Sequence, residues 1–159
     1  MAQLTVISVG TLKESYLRDA VTEYKKRLMQ YAKVDEISLK EEAIKNEDDR
    51  SEISRALEAE GQKILSSVPK DSFKIALCVE GREYTSEGLA ELIGSAVDAR
   101  GKICLIIGSS HGLSDTVKRE CDARVSFSKL TFPHQLIRVV LMEALYRSFT
   151  ILAGKKYHK

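Results

Sequence analysis

The chain has no stretch built to leave the cytosol and none built to cross a membrane. Its N-terminus, MAQLTVISVG, carries no basic segment ahead of the apolar run and so does not resemble a secretory signal. The longest apolar runs, such as Ile103–Ile107, are far too short to span a bilayer. Cysteine is scarce: Cys78, Cys104 and Cys121 are odd in number, widely spaced and free of any CxxC pattern. That excludes a disulfide framework and fits reduced thiols in a cytoplasmic compartment. The three histidines, His111, His134 and His158, are too far apart to form a local metal motif, so no metal site is expected. Low-complexity tracts, internal repeats and linkers are also missing. The 159 residues therefore read as one domain, 1–159, with 43% apolar and 30% charged residues.

Charge is unevenly distributed. From Lys129 onward there are six Lys or Arg against one acid, Glu143, whereas residues 1–128 hold 19 Lys or Arg against 22 Asp or Glu. An acidic body with a basic, His- and Tyr-bearing end points to a polyanionic partner at that end. On charge alone, simple solubility is the better explanation of a short basic end.

Hydrophobic periodicity gives the elements. Gln3–Val9 and Val34–Leu39 read as strands, as do Phe73–Val79, Lys102–Ile107 and the brief Arg124–Phe127. Leu17, Ala20, Val21, Tyr24, Leu28 and Tyr31 mark an amphipathic helix. Ile53, Leu57, Ile64 and Leu65 mark a second, with Asp49 and Glu52 spaced as a capping box. The run KEEAIKNEDDR ahead of it reads as a mobile surface loop. Thr85 is placed to cap a helix over about 86–99, and Ser114-Asp115 starts a short one. The last helix runs from Pro133, suited to a first helical turn, to about Leu152, and Gly154 stops it. Its apolar face is broad, and a surplus including Val139 and Met142 would suit a two-fold interface. Arg147 is placed to pair with Glu143 at i, i+4.

Strands alternating with helices imply an α/β sandwich around a mostly parallel sheet. Ligands of such sheets bind beyond the carboxyl ends of the strands, here Leu77–Gly81, Gly108–Gly112 and Phe127–Phe132. The middle segment contains a literal G-x-S-x-G, Gly108-Ser109-Ser110-His111-Gly112, with Asp122 and His134 following in triad order. A hydrolase elbow turns straight into its helix. Here Leu113 intervenes and Ser114 is the helix start, so that reading is set aside. The segment also lacks a third glycine, a downstream acid and a GxxxxGK[ST] cradle. What remains is a glycine that lets a ligand approach the main chain.

Taken together, Val6-x-x-Val9-Gly10, Ile106-Ile107-Gly108-x-x-x-Gly112-Leu113-Ser114, Phe127-Ser128-Lys129-Leu130-Thr131-Phe132-Pro133-His134-Gln135, Arg138-Val139, Glu143-Ala144-Leu145-Tyr146-Arg147 and terminal Tyr157-His158-Lys159 resemble the RlmH family of SPOUT methyltransferases along the whole chain. The resemblance implies a C-terminal trefoil knot within the α/β fold. It implies S-adenosylmethionine held largely by backbone groups at Leu77, Gly108, Phe127, Ser128, Lys129, Leu130, Thr131 and Phe132. The implied partner is large-subunit ribosomal RNA, in the subunit or the whole ribosome. The implied reaction, by a homodimer, is methylation of N3 of a pseudouridine in a hairpin loop. A methyltransferase for another RNA nucleotide, in transfer RNA for example, and a non-catalytic RNA-binding module stand as alternatives.

Attack by an imide nitrogen requires loss of its proton, to a base or with help from a nearby cation. His134 and Arg138, one turn apart, are candidates for the substrate side, with Arg138 directed at RNA. A locally hydrogen-bonded His134 is an equally good reading of the same position. Within the resemblance the C-terminal end reaches the active site. Tyr157 then stacks on or hydrogen-bonds the target base, His158 is a candidate proton acceptor and Lys159 contacts RNA. One position departs from the family: Ser109 stands where a second glycine is usual, at a cost only if that residue needs positive φ.

Overall fold

The computed structural model describes residues 1–159. In chain order the elements are β1 (Ala2–Val9), α1 (Ser15–Leu28), β2 (Ala32–Leu39), α2 (Arg50–Ser67), β3 (Phe73–Glu83), α3 (Ser86–Arg100), β4 (Lys102–Ile107), α4 (Asp115–Glu120), β5 (Ala123–Ser126) and α5 (His134–Leu152). The strands form one sheet in the order β2-β1-β4-β3-β5, and every neighbouring pair is parallel. All carboxyl ends therefore lie along one edge, which sets where a ligand can meet several loops at once.

Strand alternation divides the core. Leu4 and Val6 of β1 and Ile103, Leu105 and Ile107 of β4 face a layer made by α1, α3 and α5. Ile7 and Val9 with Cys104 and Ile106 face α2 and α4 on the other side. Burial on both faces explains why β1 and β4 are near-continuous apolar runs.

The helix ends follow their sequence signals with two changes. Asp49 caps α2 by accepting from the N–H groups of Ser51 and Glu52. The reciprocal half of the expected box does not form. Glu52 instead accepts from the Lys45 and Asn46 N–H groups, ordering the connection before the helix. Pro133 is the N-cap of α5 rather than a residue of its first turn. Thr85 and Ser114 cap α3 and α4 through Gly88 N–H and Val117 N–H. At the far end Gly154 takes φ +67°, with Gly154 N–H to Ile151 O and Lys155 N–H to Thr150 O. That is the Schellman pattern, and it turns the last five residues back along α5.

Two features of the fold differ from the periodicity. The buried stripe of α2 is Ala56, Glu60, Gly61 and Ile64, so it includes a carboxylate. Met142 is 1% exposed and belongs to the core of its own chain, which removes it from any surface available to a second copy.

Candidate active site

A cavity of about 700 Å³ opens at the carboxyl edge of the sheet, where β3, β4 and β5 end side by side. Pockets for small organic ligands run roughly 300–1,000 Å³ and are mostly apolar with a few placed polar groups. Leu77, Ile107, Leu113, Val125, Phe127, Phe132 and Ile137 supply the apolar wall. Gly108–Gly112 and Ser126–Ser128 bring main chain to it.

The β4 loop is built for close approach. A Cβ on Gly108 would lie 2.1 Å from the Gly112 carbonyl oxygen, so only glycine fits. Gly112 has φ +89°, and its N–H returns to Ser109 O at 2.9 Å, closing a four-residue turn. Asp71 alone among non-glycine residues has positive φ, so Ser109 carries no backbone strain. The serine is neutral at this position as far as φ is concerned.

The end of β3 is shaped by its contact with β5. Val125 pairs with Leu77 and again with Arg82, so residues 78–81 bulge out of the register. Gly81 lies flat against the Val125 backbone, which a Cβ would meet at 2.8 Å. This bulge carries Cys78, Val79 and Glu80 into the cavity wall, where Glu80 pairs with Lys118 of α4. The pairing holds the Glu80 carboxyl below its usual range, the Lys118 hydrogen bond being the main cause.

Of the residues expected at a methyl donor, Leu77, Gly108, Phe127, Ser128, Leu130, Thr131 and Phe132 line the cavity. Lys129 does not, and its side chain is exposed. Leu130 is 72% exposed and forms part of the rim. His134, on the first turn of α5, also lines the cavity and stands beside Gly10, its Nε2 3.8 Å from where a Gly10 Cβ would be. His111 completes that side with an Nε2 contact of 2.7 Å to Glu47, on the β2–α2 connection. The run 40–50, expected to be a mobile surface loop, is thus tied to the cavity wall.

Arg138 is placed differently from the expectation of an RNA-facing cation. It is 6% exposed, and its guanidinium donates to Gly10 O and Ser38 Oγ, both at 3.3 Å. Burial lowers its pKa, and Glu36 partly offsets the effect. Within this chain Arg138 fastens α5 to the ends of β1 and β2.

The C-terminal residues gather at a separate place. Tyr157 donates to Glu143 Oε2 at 2.7 Å and meets the Tyr146 ring edge-on at 4.7 Å between centroids. His158 contacts Glu87 at 2.8 Å and Arg147 at 3.2 Å, and Arg147 also bridges to Glu143 at 2.8 Å, as its spacing predicts. Glu143 is nine residues beyond His134, roughly 13 Å along the axis and half a revolution round it at 1.5 Å and 100° per residue. The tail and the cavity of one chain thus occupy opposite sides of α5.

The hydrolase constellation does not assemble. Asp122 accepts from Lys74 N–H and meets Arg100 at 3.4 Å, at the start of β3, while His134 stands at the opposite edge of the sheet. No group of three or more His, Cys, Asp or Glu is arranged to hold a metal ion. No helix is long and apolar enough to cross a membrane.

Residues 2–158 match the family described as "Predicted SPOUT methyltransferase". The chain is 46% identical over 157 residues to a putative ribosomal RNA large subunit methyltransferase H of Methanococcus maripaludis, covering 98% of this chain and 99% of the relative. It is 44% identical over 157 residues to ribosomal RNA large subunit methyltransferase H of Bacillus pumilus, and 47% over 156 residues to that of Caldicellulosiruptor bescii, with the same coverage in each case. A backbone-walled cavity at the carboxyl edge of a parallel sheet and nearly full-length identity of this order agree: the chain belongs to the ribosomal RNA large subunit methyltransferase H family of SPOUT methyltransferases.

Proposed function

We propose that this chain is an S-adenosylmethionine-dependent methyltransferase that modifies N3 of a pseudouridine in a hairpin loop of 23S ribosomal RNA, acting in the cytoplasm on the large subunit or whole ribosome. The observation that carries the reading is the cavity at the ends of β3, β4 and β5, walled by the Gly108–Gly112 turn and the Phe127–Phe132 run, in a chain of this family. The trefoil knot expected of the family is part of the same reading, with strand–loop segments near the C-terminus threading one another to form the pocket. Residues 1–159 act as a single domain.

The cavity suits the donor chemically. Its apolar side chains can enclose a nucleoside, and Gly108 leaves main chain uncovered where a Cβ would have filled the space. Leu77, Gly108, Phe127, Ser128, Leu130, Thr131 and Phe132 would hold it, with Lys129 acting from the rim. S-adenosylmethionine supplies an activated methyl group on a sulfonium sulfur. The protein's part is to hold the acceptor nitrogen in line at about 3–3.5 Å and to keep water out. The target edge takes part in base pairing, so the nucleotide must be unpaired when it enters.

His134 faces the cavity from the α5 N-terminus and is assigned to the substrate side, taking up or sharing the imide proton. Tyr157, His158 and Lys159 lie on the other side of α5 in their own chain. Their contribution to base stacking, proton acceptance and RNA contact therefore requires a second copy, and a homodimer is part of the proposal. Arg138 enters as a residue that fixes the Gly10 turn beside His134, with any RNA contact limited by its burial.

Calorimetry with S-adenosylmethionine, followed by transfer of labelled methyl to large subunits, whole ribosomes, naked 23S RNA and transfer RNA, tests the reading. Label in 23S RNA, mapped by mass to one pseudouridine, is expected. Label in transfer RNA would favour a different nucleotide, and RNA binding without donor uptake would make the chain a binding module.

A further inference from the structure

The C-terminal tail carries a chain of contacts that fixes which nitrogen of His158 holds its proton. On one side His158 Nδ1 meets Arg147 Nη1 at 3.2 Å. A guanidinium has only donors, so Nδ1 is the accepting, proton-free nitrogen of the ring. On the other side Nε2 lies 2.8 Å from Glu87 Oε1. The hydrogen bond with His158 holds the Glu87 carboxyl below its usual range, and an ionised carboxylate only accepts. Glu87 and Arg147 therefore select the same tautomer, with N–H at Nε2 and a lone pair at Nδ1.

The groups around the ring come from two helices and the tail. Glu87 is in the first turn of α3, Glu143 and Arg147 are on α5, and Tyr157 precedes the histidine. Arg147 is held to Glu143 by Nε at 2.9 Å and by Nη2 at 2.8 Å, so only Nη1 is engaged with the imidazole. That contact can be exchanged for another N–H without releasing Arg147. Two carboxylates face one guanidinium here, and a proton taken up by His158 brings the cluster to neutrality. As a stabilising device the Glu87 contact is weak, because the Glu87 side chain is 63% exposed and exposed ion pairs contribute little. An imidazole whose far nitrogen is held by a carboxylate is instead the arrangement that orients a proton acceptor and stabilises its charged form.

We propose that Glu87 is a positioning residue for methyl transfer, holding His158 as the Nε2–H tautomer so that Nδ1 receives the imide proton of the target base. The proposal rests on the reading above, in which the tail of one copy serves the substrate side of another. The imide N–H takes the place of Arg147 at Nδ1, and its proton passes to that nitrogen. The electron pair left on the base nitrogen forms the new bond to the donor methyl carbon. The pair of the broken carbon–sulfur bond goes to sulfur, leaving a neutral thioether. Glu87 then stabilises the imidazolium through Nε2–H.

Two measurements on the full-length chain test this. Two-bond proton–nitrogen NMR at about pH 8, above the ordinary histidine range, reports the His158 tautomer. The parent is expected to show Nε2 protonated and Nδ1 bare, and Glu87→Ala a mixture of the two forms. Methyl transfer to large subunits by Glu87→Ala should fall about tenfold in kcat, part of the hundredfold or more that a positioned base supplies, with KM and donor affinity unchanged. The Tyr157–Glu143 bond keeps the tail docked in that variant, so loosening of the tail does not account for the loss. Glu87→Gln, whose amide oxygen accepts from Nε2–H, should keep the tautomer and recover most of the rate. A parent ring protonated at Nδ1, an unchanged tautomer in Glu87→Ala or an unchanged kcat would overturn the proposal. So would a His158→Gln chain that transfers at the parent rate. A merely structural contact would lower the unfolding midpoint and leave kcat where it was. A parent chain that transfers no methyl group to ribosomal RNA would instead remove the reading on which the proposal rests.

Discussion

The Tyr157 hydroxyl donates to Glu143 Oε2 at 2.7 Å, across fourteen residues of sequence, and so closes the C-terminal tail onto the middle of α5. The acid beside it, with burial adding a smaller effect, pushes the Tyr157 phenol from 10 up to about 12. Because the folded value lies above the unfolded one, the contribution of this bond is complete below the ordinary value. It disappears as pH rises through about 12. Ultraviolet titration of phenolate should therefore show Tyr157 ionising late, together with Tyr24, whose phenol is also raised by burial and by Glu143, and Glu143→Gln should return Tyr157 toward 10. Tyr157→Phe should leave global stability within about 1.5 kcal/mol, since the bond is single and partly exposed.

Placement of the tail on the far side of α5 from the cavity leads to a test in mixed dimers. A chain lacking Tyr157–Lys159 should bind S-adenosylmethionine normally and transfer no methyl group. A full-length chain carrying Gly108→Val should bind none. Mixed, the two should recover a fraction of parent activity, because one subunit keeps a sound cavity and the other a sound tail. No recovery would put tail and cavity in the same subunit.

The Gly108 carbonyl-facing contact predicts a steep penalty. Gly108→Ala places a methyl 2.1 Å from Gly112 O, backbone that has little room to give. Urea unfolding should show a loss of about 1–3 kcal/mol or more, and calorimetry should show the donor site gone. Gly112→Ala meets no atom within 4 Å, but its φ of +89° is strained for alanine, so a loss of about 1–2 kcal/mol is expected.

The α2 cap is testable in isolation from the site. Asp49→Ala leaves the Ser51 and Glu52 N–H groups without their acceptor and should cost about 1 kcal/mol in urea unfolding. Donor affinity should hardly move, since neither Asp49 nor the two N–H groups that it caps line the cavity.

Thiol chemistry reports on the other half of the core. Cys104 is fully buried and its thiol is pushed up to about 12, chiefly by burial, while Cys121 rises to about 11 for the same first reason. Both should resist alkylation at neutral pH in the native chain and react together once it unfolds, as mass spectrometry of labelled peptides would show.

Local signals in the sequence were sufficient for most of the scaffold. The β-branched runs of β1 and β4, the caps Asp49, Thr85 and Ser114 and the Gly154 stop each depend on residues within a few positions of one another. The three strand ends that wall the cavity were likewise legible, because parallel sheets put ligands at one edge. What stayed hidden depends on distant partners. The double pairing of Val125 with Leu77 and Arg82 requires β3 and β5 to be seen together. Arg138 reads as an exposed cation until Gly10 O and Ser38 Oγ are placed against it. Glu60 had a faint signal, since it falls four residues from Ala56 and from Ile64 on the buried stripe, but hydropathy alone assigns a glutamate to water. The tail's return to Glu143 had none beyond the glycine that begins it.

The Gly108–Gly112 turn also bears on how readily an inhibitor could be escaped. Main-chain amides and carbonyls do not change when a codon changes, and the glycine that exposes them tolerates no larger residue. A compound that draws its grip from those peptide groups would leave resistance mutations few positions to act on. One that leans on Leu130, already facing solvent at the rim, would be evaded by a single substitution.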